Sequence, residues 1–439
     1  MGEERDSTRR IGLLVSQGVS RWASFAIGLL VLVLLVGGLI WFGAGRDRRG
    51  DSTEFNESAA PGLGRVATSD TVVWSTFGRS AAHDRFVNDS TVKPPFAAPA
   101  WSWAAKAGID FPPAVVRGVA FVPVTDGRLV ALATSTGKLL WEQRAAGALA
   151  AAPLVVGPTV YQPSKDGSLY AFSADDGELL WRYPTKGPLE SSPIYADGKV
   201  IFGSHDGRIF AIDPATHRAV WTVRGGAAFK GSPAFAGSTV YAGNYDGKLY
   251  AIDVRDGSVR WSTQTRRDFS FGGALYSTPS VAYGRVFVGS TDGRVYSIGA
   301  ESGEIRWVYS TDDWVYASPA VANQTIYIGS YDGTFYALNA RTGAERWTFQ
   351  ADDRIAGSAT VIEDTVYFST LGGQTYGLDT TKKGDVVWTM DDGRLGGVVT
   401  DGSWLYVTGD ETQYGIAPPS DRRPSGTVAS TAAAADTAD

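Results

Sequence analysis

Side chains able to do chemistry are scarce in this 439-residue chain. It has no cysteine, which removes thiolate nucleophiles, thiolate metal sites, iron–sulfur ligation, disulfides and cysteine-linked lipid anchors. Only three histidines occur, His83, His205 and His217, so histidine catalysis or metal binding has almost no raw material. His205 precedes an Asp-Gly pair and His217 stands where related segments carry glycine, and both read as surface turn residues. His83 lies in the irregular stretch WSTFGRSAAHDRF ahead of the regular sequence, without the carboxylate pattern of a triad. The recurring aspartates each stand one residue before glycine, where a tight turn accounts for them without calcium. No catalytic residue, metal ligand or cofactor is therefore expected.

The elements that carry these residues are announced by a repeat. Tryptophans recur at Trp101, Trp141, Trp181, Trp221, Trp261, Trp307, Trp347 and Trp388, spaced by 40, 40, 40, 40, 46, 40 and 41 residues. Asp-Gly pairs keep step at Asp126, Asp166, Asp206, Asp246, Asp292 and Asp332, with Gly372-Gly373 in the seventh slot. Within one unit, SPAFAGSTVYAGNYDGKLYAIDVRDGSVRW from Ser232 to Trp261, four alternating apolar segments are separated by turn residues. Asp-Gly supplies the positive φ that a two-residue hairpin needs, so the unit is a four-stranded meander. Such a sheet must bury both faces, and radial stacking does this. The expectation is an all-β, eight-bladed β-propeller of four-stranded antiparallel blades over residues 71–417, preceded by one transmembrane helix. The segment 398–416 supplies three strands, and the strand around Trp101 should complete that last blade and close the ring.

Ala251-Ile252-Asp253 with Gly257 and Trp261, repeated as Ala337-Leu338-Asn339 with Gly343 and Trp347, resembles the pyrroloquinoline-quinone-like propeller repeat family. That resemblance implies that each periodic tryptophan packs on the glycine turn of the adjoining blade. The family includes quinone-dependent alcohol dehydrogenases, which carry a disulfide of adjacent cysteines beside the cofactor and a bound calcium. A chain without cysteine lacks the first of these. Its non-enzymatic members include the propeller lipoprotein of the outer-membrane β-barrel assembly machinery, from which this chain departs in lacking a lipidated cysteine.

Between Arg21 and Arg46 no residue is charged. As a helix these residues would span roughly 36 Å, enough for a hydrocarbon core of about 30 Å. Trp22 and Trp41 sit near the ends, as interfacial anchors do. A signal anchor at 22–45 is expected after a cytoplasmic segment 1–21, with a cleavable signal peptide ending near Gly43–Gly45 as the rival. A flexible linker at 46–70 and a disordered tail at 418–439 complete the layout. Residues 51–439 carry 33 basic and 42 acidic side chains, which argues against nucleic acid as a partner. The propeller is expected on the periplasmic or extracellular side of the inner membrane.

If symmetric positions are scaffold, function lies where symmetry breaks. The 46-residue step adds six residues to the connection Ser262–Tyr276, which strand alternation puts on the face of the Asp-Gly turns. Arg266, Arg267, Phe269 and Phe271, with Trp314 and Tyr316 one blade on, have the composition of a protein-binding hot spot. A protein or extended peptide is the expected partner there. A second candidate is a small ligand in the central mouth of that face, at Asp110, Glu190, Lys230 and Tyr276. The function read from sequence is a protein-interaction scaffold in envelope protein assembly, with a ligand-sensing propeller and, less favoured, a quinone dehydrogenase as alternatives.

Overall fold

The computed structural model describes residues 50, 52–59, 74–88, 90–96, 98–265 and 273–417. The span expected at 22–45, the cytoplasmic segment and the tail lie outside them, and among the described residues no helix is long and apolar enough to cross a membrane. The described residues form eight four-stranded antiparallel sheets in chain order, each with its first strand innermost and its fourth outermost. Blade 1 comprises Ala114–Val116, Val119–Pro123, Arg128–Ala133 and Leu139–Arg144, and the pattern repeats to blade 7, which ends with Asp385–Met390. Blade 8 combines Val398–Thr400, Leu405–Thr408 and Thr412–Ile416 with Trp101–Ala104. Trp101 pairs with Gly415 and Ala104 with Thr412, so the two ends of the ring share one sheet.

The core is a series of wedges between blades. Ala114, Phe121 and Leu129 of blade 1 pack with Val155, Tyr170 and Phe172 of blade 2, and Phe335 of blade 6 stacks on Phe368 of blade 7 with ring centroids 4.1 Å apart. The outer strand carries the locking residue. A register shift just before each tryptophan of blades 1–7 leaves one residue unpaired, as between Ala131 and Leu132 opposite Trp141. Such bulges re-aim the following side chain. Trp307 is fully buried, donates its Nε1–H to the Ala340 carbonyl at 2.9 Å and lies against Gly343. Gly343 has φ +73°, and a Cβ there would stand 2.8 Å from the indole, so both the turn and the contact require glycine. Trp101, Trp141, Trp221, Trp261 and Trp347 meet the equivalent turns of the next blade. Trp181 meets His217 instead, with the rings stacked 4.8 Å apart; His217 is exposed, as expected of a turn residue, yet serves as a packing surface. Trp388 packs edge-on against Phe96, because the ring closure leaves no turn there.

The stretch expected to precede the ring lies inside it. Residues 74–88 and 90–91 run around the channel and meet the innermost strand of each blade in order. Val115, Val155, Phe235, Val281, Val321 and Val361, one equivalent position in six blades, donate backbone N–H groups to the carbonyls of Trp74, Ser75, Ala81, Ala82, Asp84 and Arg85. Blade 3 accepts from the Thr76 hydroxyl through the Pro193 carbonyl, and blade 8 accepts Thr91 N–H through Gly402. Phe86–Val87 pairs in parallel with the inner strand of blade 7. This collar occupies edges that would otherwise be open. Turning so tightly puts Arg79, His83 and Arg85 at φ +73°, +55° and +54°, in the left-handed region.

His83, in this irregular stretch, is fully buried, with Nε2 on the Pro233 carbonyl at 3.0 Å. The Arg85 side chain, also buried, donates Nε–H to the Ala359 carbonyl and lies 4.6 Å from the Phe77 ring centroid. Part of the stretch expected to be a flexible linker is also docked. Phe55 stacks on Tyr283 at 5.1 Å, Glu54 pairs with Arg306 at 2.7 Å, and Arg285 donates to the Thr53 carbonyl. Apolar stacking and a half-buried ion pair hold Ser52–Ala59 where polarity alone implied freedom.

Two outcomes test this account. Trp307→Ala should destabilise the ring by about 3–5 kcal/mol, read as a lower denaturation midpoint; an unchanged midpoint would show that the indole does not lock the blades. Burial, with help from the Arg85 guanidinium, pushes the His83 imidazole down to about 3. Below pH 6.5 the unfolded chain takes up a proton that the folded chain refuses, so stability should fall as pH drops from about 6.5 towards 3, by at most ~1.4 kcal/mol per unit. His83→Gln should lose less stability than wild type between pH 6.5 and 4.5 in denaturant titrations, and an identical slope would contradict the buried neutral imidazole.

Candidate functional site

Strand alternation brings two sets of loops to one face of the ring, the turns between strands 2 and 3 and the connections between blades. They abut throughout: a Cβ at Gly127 would lie 3.0 Å from the Gly147 carbonyl, and one at Gly167 3.1 Å from that of Gly187. At the centre of this face is a cavity of about 310 Å³. Asp110, Glu190, Lys230 and Tyr276, expected at the mouth from their place in the repeat, all line it. Tyr316, assigned by sequence to the outer docking sector, lines it as well. Phe77 of the collar and Phe111 contribute aromatic surface below.

One side of the mouth is ionic. The Glu190 carboxylate receives Lys230 at 2.7 Å and Lys165 at 3.2 Å, with His205 at 3.8 Å. Burial opposes ionisation of Glu190, but hydrogen bonds and charge from the two ammonium groups outweigh it and hold the carboxyl below its usual range. Burial lowers the His205 imidazole. Asp110 is raised by burial, against the pull of Arg394 and Lys165.

The other side is aromatic. Ring centroids step from Tyr245 to Tyr276 at 4.6 Å, to Tyr316 at 4.7 Å and to Tyr331 at 4.7 Å. Trp314 stands 5.7 Å from Tyr316 and is 41% exposed. The Lys230 ammonium lies 4.8 Å above Tyr276, and the Arg354 guanidinium 5.7 Å from Tyr331. Burial pushes the Tyr316 phenol up to about 12 and raises Tyr245 and Tyr331, so these hydroxyls stay protonated donors. Arg266, Arg267, Phe269 and Phe271 lie outside the described residues, although the connection that carries them ends at Tyr276 within this aromatic run.

Repeat reasoning about the connections alone missed Lys165, His205, Tyr245 and Tyr331. All four immediately precede the aspartate of a turn between strands 2 and 3, and variation at that slot was their signal. It missed also an inner girdle of hydroxyls. Backbone N–H groups of Ser192, Ser232, Thr278 and Ser318 donate to the side-chain oxygens of Ser232, Thr278, Ser318 and Ser358 in the next blade at 2.9–3.2 Å. The eight periodic tryptophans lie in the outer strands, remote from the mouth's inner-strand connections, as structural residues.

Solved structures share this fold. BamB from Moraxella catarrhalis is 18% identical, with a TM-score of 0.62 over 73% of this chain and 97% of its own. A europium-containing methanol dehydrogenase is 13% identical, with a TM-score of 0.65 over 79% and 98%. The quinohemoprotein alcohol dehydrogenase of Comamonas testosteroni is 14% identical, with a TM-score of 0.68 over 82% and 83%. Identities this low speak for the fold alone. No curated protein matches the sequence.

The quinone and calcium implied by the dehydrogenase branch do not fit the residues at the mouth. Glu190 is already clamped by two lysines, no cysteine exists for the adjacent-cysteine disulfide, and among the described residues no three His, Asp or Glu side chains converge to hold a metal. Residues 64–221, 155–307 and 266–390 each match one family model, and on that coverage, together with the eight-bladed ring, the chain belongs to the PQQ-like propeller family described as outer membrane protein assembly factor BamB.

Proposed function

We propose that this chain is a membrane-anchored propeller that works outside the cytoplasm as a protein-interaction scaffold. It would dock a protein or extended peptide on the face bearing the mouth. The aromatic run on that face, exposed Trp314 with half-buried Tyr316 and Tyr331 flanked by Arg354, carries the reading. Aromatic and arginine side chains concentrate binding energy at protein interfaces, the aromatics because they bury much area for little lost rotamer freedom. Elsewhere among the described residues most exposed large apolar side chains are aliphatics on outer strands, such as the pairs Leu139–Leu140 and Leu179–Leu180. The 262–276 connection, with Arg266, Arg267, Phe269 and Phe271, would extend the same sector. The family's description as an assembly factor supports a role in envelope protein assembly. The uncharged span at 22–45 supports an inner-membrane anchor with the propeller on the periplasmic or extracellular side.

A photo-crosslinker at position 314 should capture one dominant partner in cells. Trp314→Ala should weaken binding of that partner at least about tenfold while shifting the melting temperature by less than about 2 °C. Unchanged affinity would remove this face as the docking surface. An alkaline phosphatase fused after residue 417 should be active if the propeller is exported, and inactivity alongside a fluorescent cytoplasmic reporter would reverse the topology.

A further inference from the structure

The central cavity holds more chemistry than a protein-docking rim needs. Ser232, Thr278, Ser318 and Ser358 line its base, each oxygen already accepting a backbone N–H from the preceding blade. A hydroxyl has one proton and two lone pairs, so each keeps a donor to offer. Lys230 and Lys165 add ammonium donors on one wall, while Glu190 and Asp110 add acceptors on the same side. Beside them, Tyr276, with Lys230 above its ring, and Tyr316 add aromatic surface, and burial keeps the Tyr316 hydroxyl a protonated donor.

A simple anion would be drawn to the lysines but repelled by two carboxylates. A purely apolar ligand would leave the unused hydroxyl protons, and the ammonium protons that Glu190 does not take, without partners, at a cost of about 1–3 kcal/mol for each group desolvated unpaired. A polyol ring satisfies every surface. Its hydroxyls donate to Glu190 and Asp110 and accept from the serine, threonine and lysine donors. The weakly positive C–H face of the ring lies against the electron-rich tyrosine faces. The volume of about 310 Å³ is at the small end of the ~300–1,000 Å³ range of small-molecule sites, a size for a short saccharide.

We infer that the central mouth is a binding site for a mono- or disaccharide, held by stacking on Tyr276 and Tyr316 and by hydrogen bonds to Lys230, Glu190 and the hydroxyl girdle. The inference uses the cavity alone and does not rest on the scaffold reading. Binding involves no covalent step.

The full chain in detergent, titrated with glucose, N-acetylglucosamine and maltose up to about 10 mM, tests it. Saturation-transfer NMR should show saturable binding of at least one of the three, with the strongest transfer to ring C–H protons. Tyr316→Ala and Lys230→Met should each weaken that binding at least about fivefold while keeping the thermal midpoint within about 2 °C of wild type. Absence of saturable binding for all three sugars would overturn the inference, and so would binding indifferent to both substitutions in variants that fold. Trp314→Ala, which tests partner docking, lies outside the cavity lining, so failure of one reading is distinguishable from failure of the other.

Discussion

A four-stranded sheet with two apolar faces cannot stand alone in water, and every other feature of this chain follows from how each blade is covered by the next. Contact is made at three radii. Outermost, an indole from one blade lies on the tight turn of its neighbour, aimed there in most blades by a bulge one residue earlier. Between, wedges of aliphatic and aromatic side chains fill the space between adjacent sheets. Innermost, a backbone N–H of one blade meets a serine or threonine oxygen of the next. The repeat length is constrained because all three must be satisfied together. The one long step, from Trp261 to Trp307, puts its extra residues into a connection between blades, where none of the three contacts is disturbed.

Stacking leaves one problem that symmetry cannot solve. The inner strands end in a channel with their outer N–H groups unpaired, and a blade-by-blade repeat has nothing to place there. The non-repeating residues 74–85 meet that need with their own carbonyls. Three non-glycine residues in the left-handed region and two fully buried basic side chains are the cost of so tight a path. Phe77 of the collar also lines the mouth cavity, so the segment that seals the inner edges contributes to the site.

The mouth is the place where near-identical backbone geometry carries non-identical side chains. Scaffold positions keep their residue types because most meet the same neighbour from blade to blade. Lys165, His205, Tyr245 and Tyr331 occupy one equivalent slot yet differ in charge and shape: Lys165 and Tyr331 line the cavity, while His205 and Tyr245 stand beside Glu190 and Tyr276 of its lining. Glu190, Lys230, Tyr276 and Tyr316 do the same in the connections. An ionic sector thus adjoins an aromatic one in an otherwise symmetric ring.

Blade number, strand order, ring closure and the structural role of the tryptophans were legible in the amino-acid sequence, because periodic spacing and turn chemistry are local properties that repetition amplifies. Asp110, Glu190, Lys230 and Tyr276 were legible for the same reason, since a position in the repeat determines a radius and a face. Residues outside the period were not. WSTFGRSAAHDRF has no regular pattern, and its path through the channel arises only when six separated inner strands converge to offer it hydrogen bonds. His83 could not be read as buried, nor Phe55 as docked, without the ring around them. The pairing of Lys230 with Glu190, 40 residues apart, and the run of tyrosines likewise exist only once neighbouring blades bring them within a few ångströms. Local spacing determined the blades; their convergence on one axis decided the collar and the mouth.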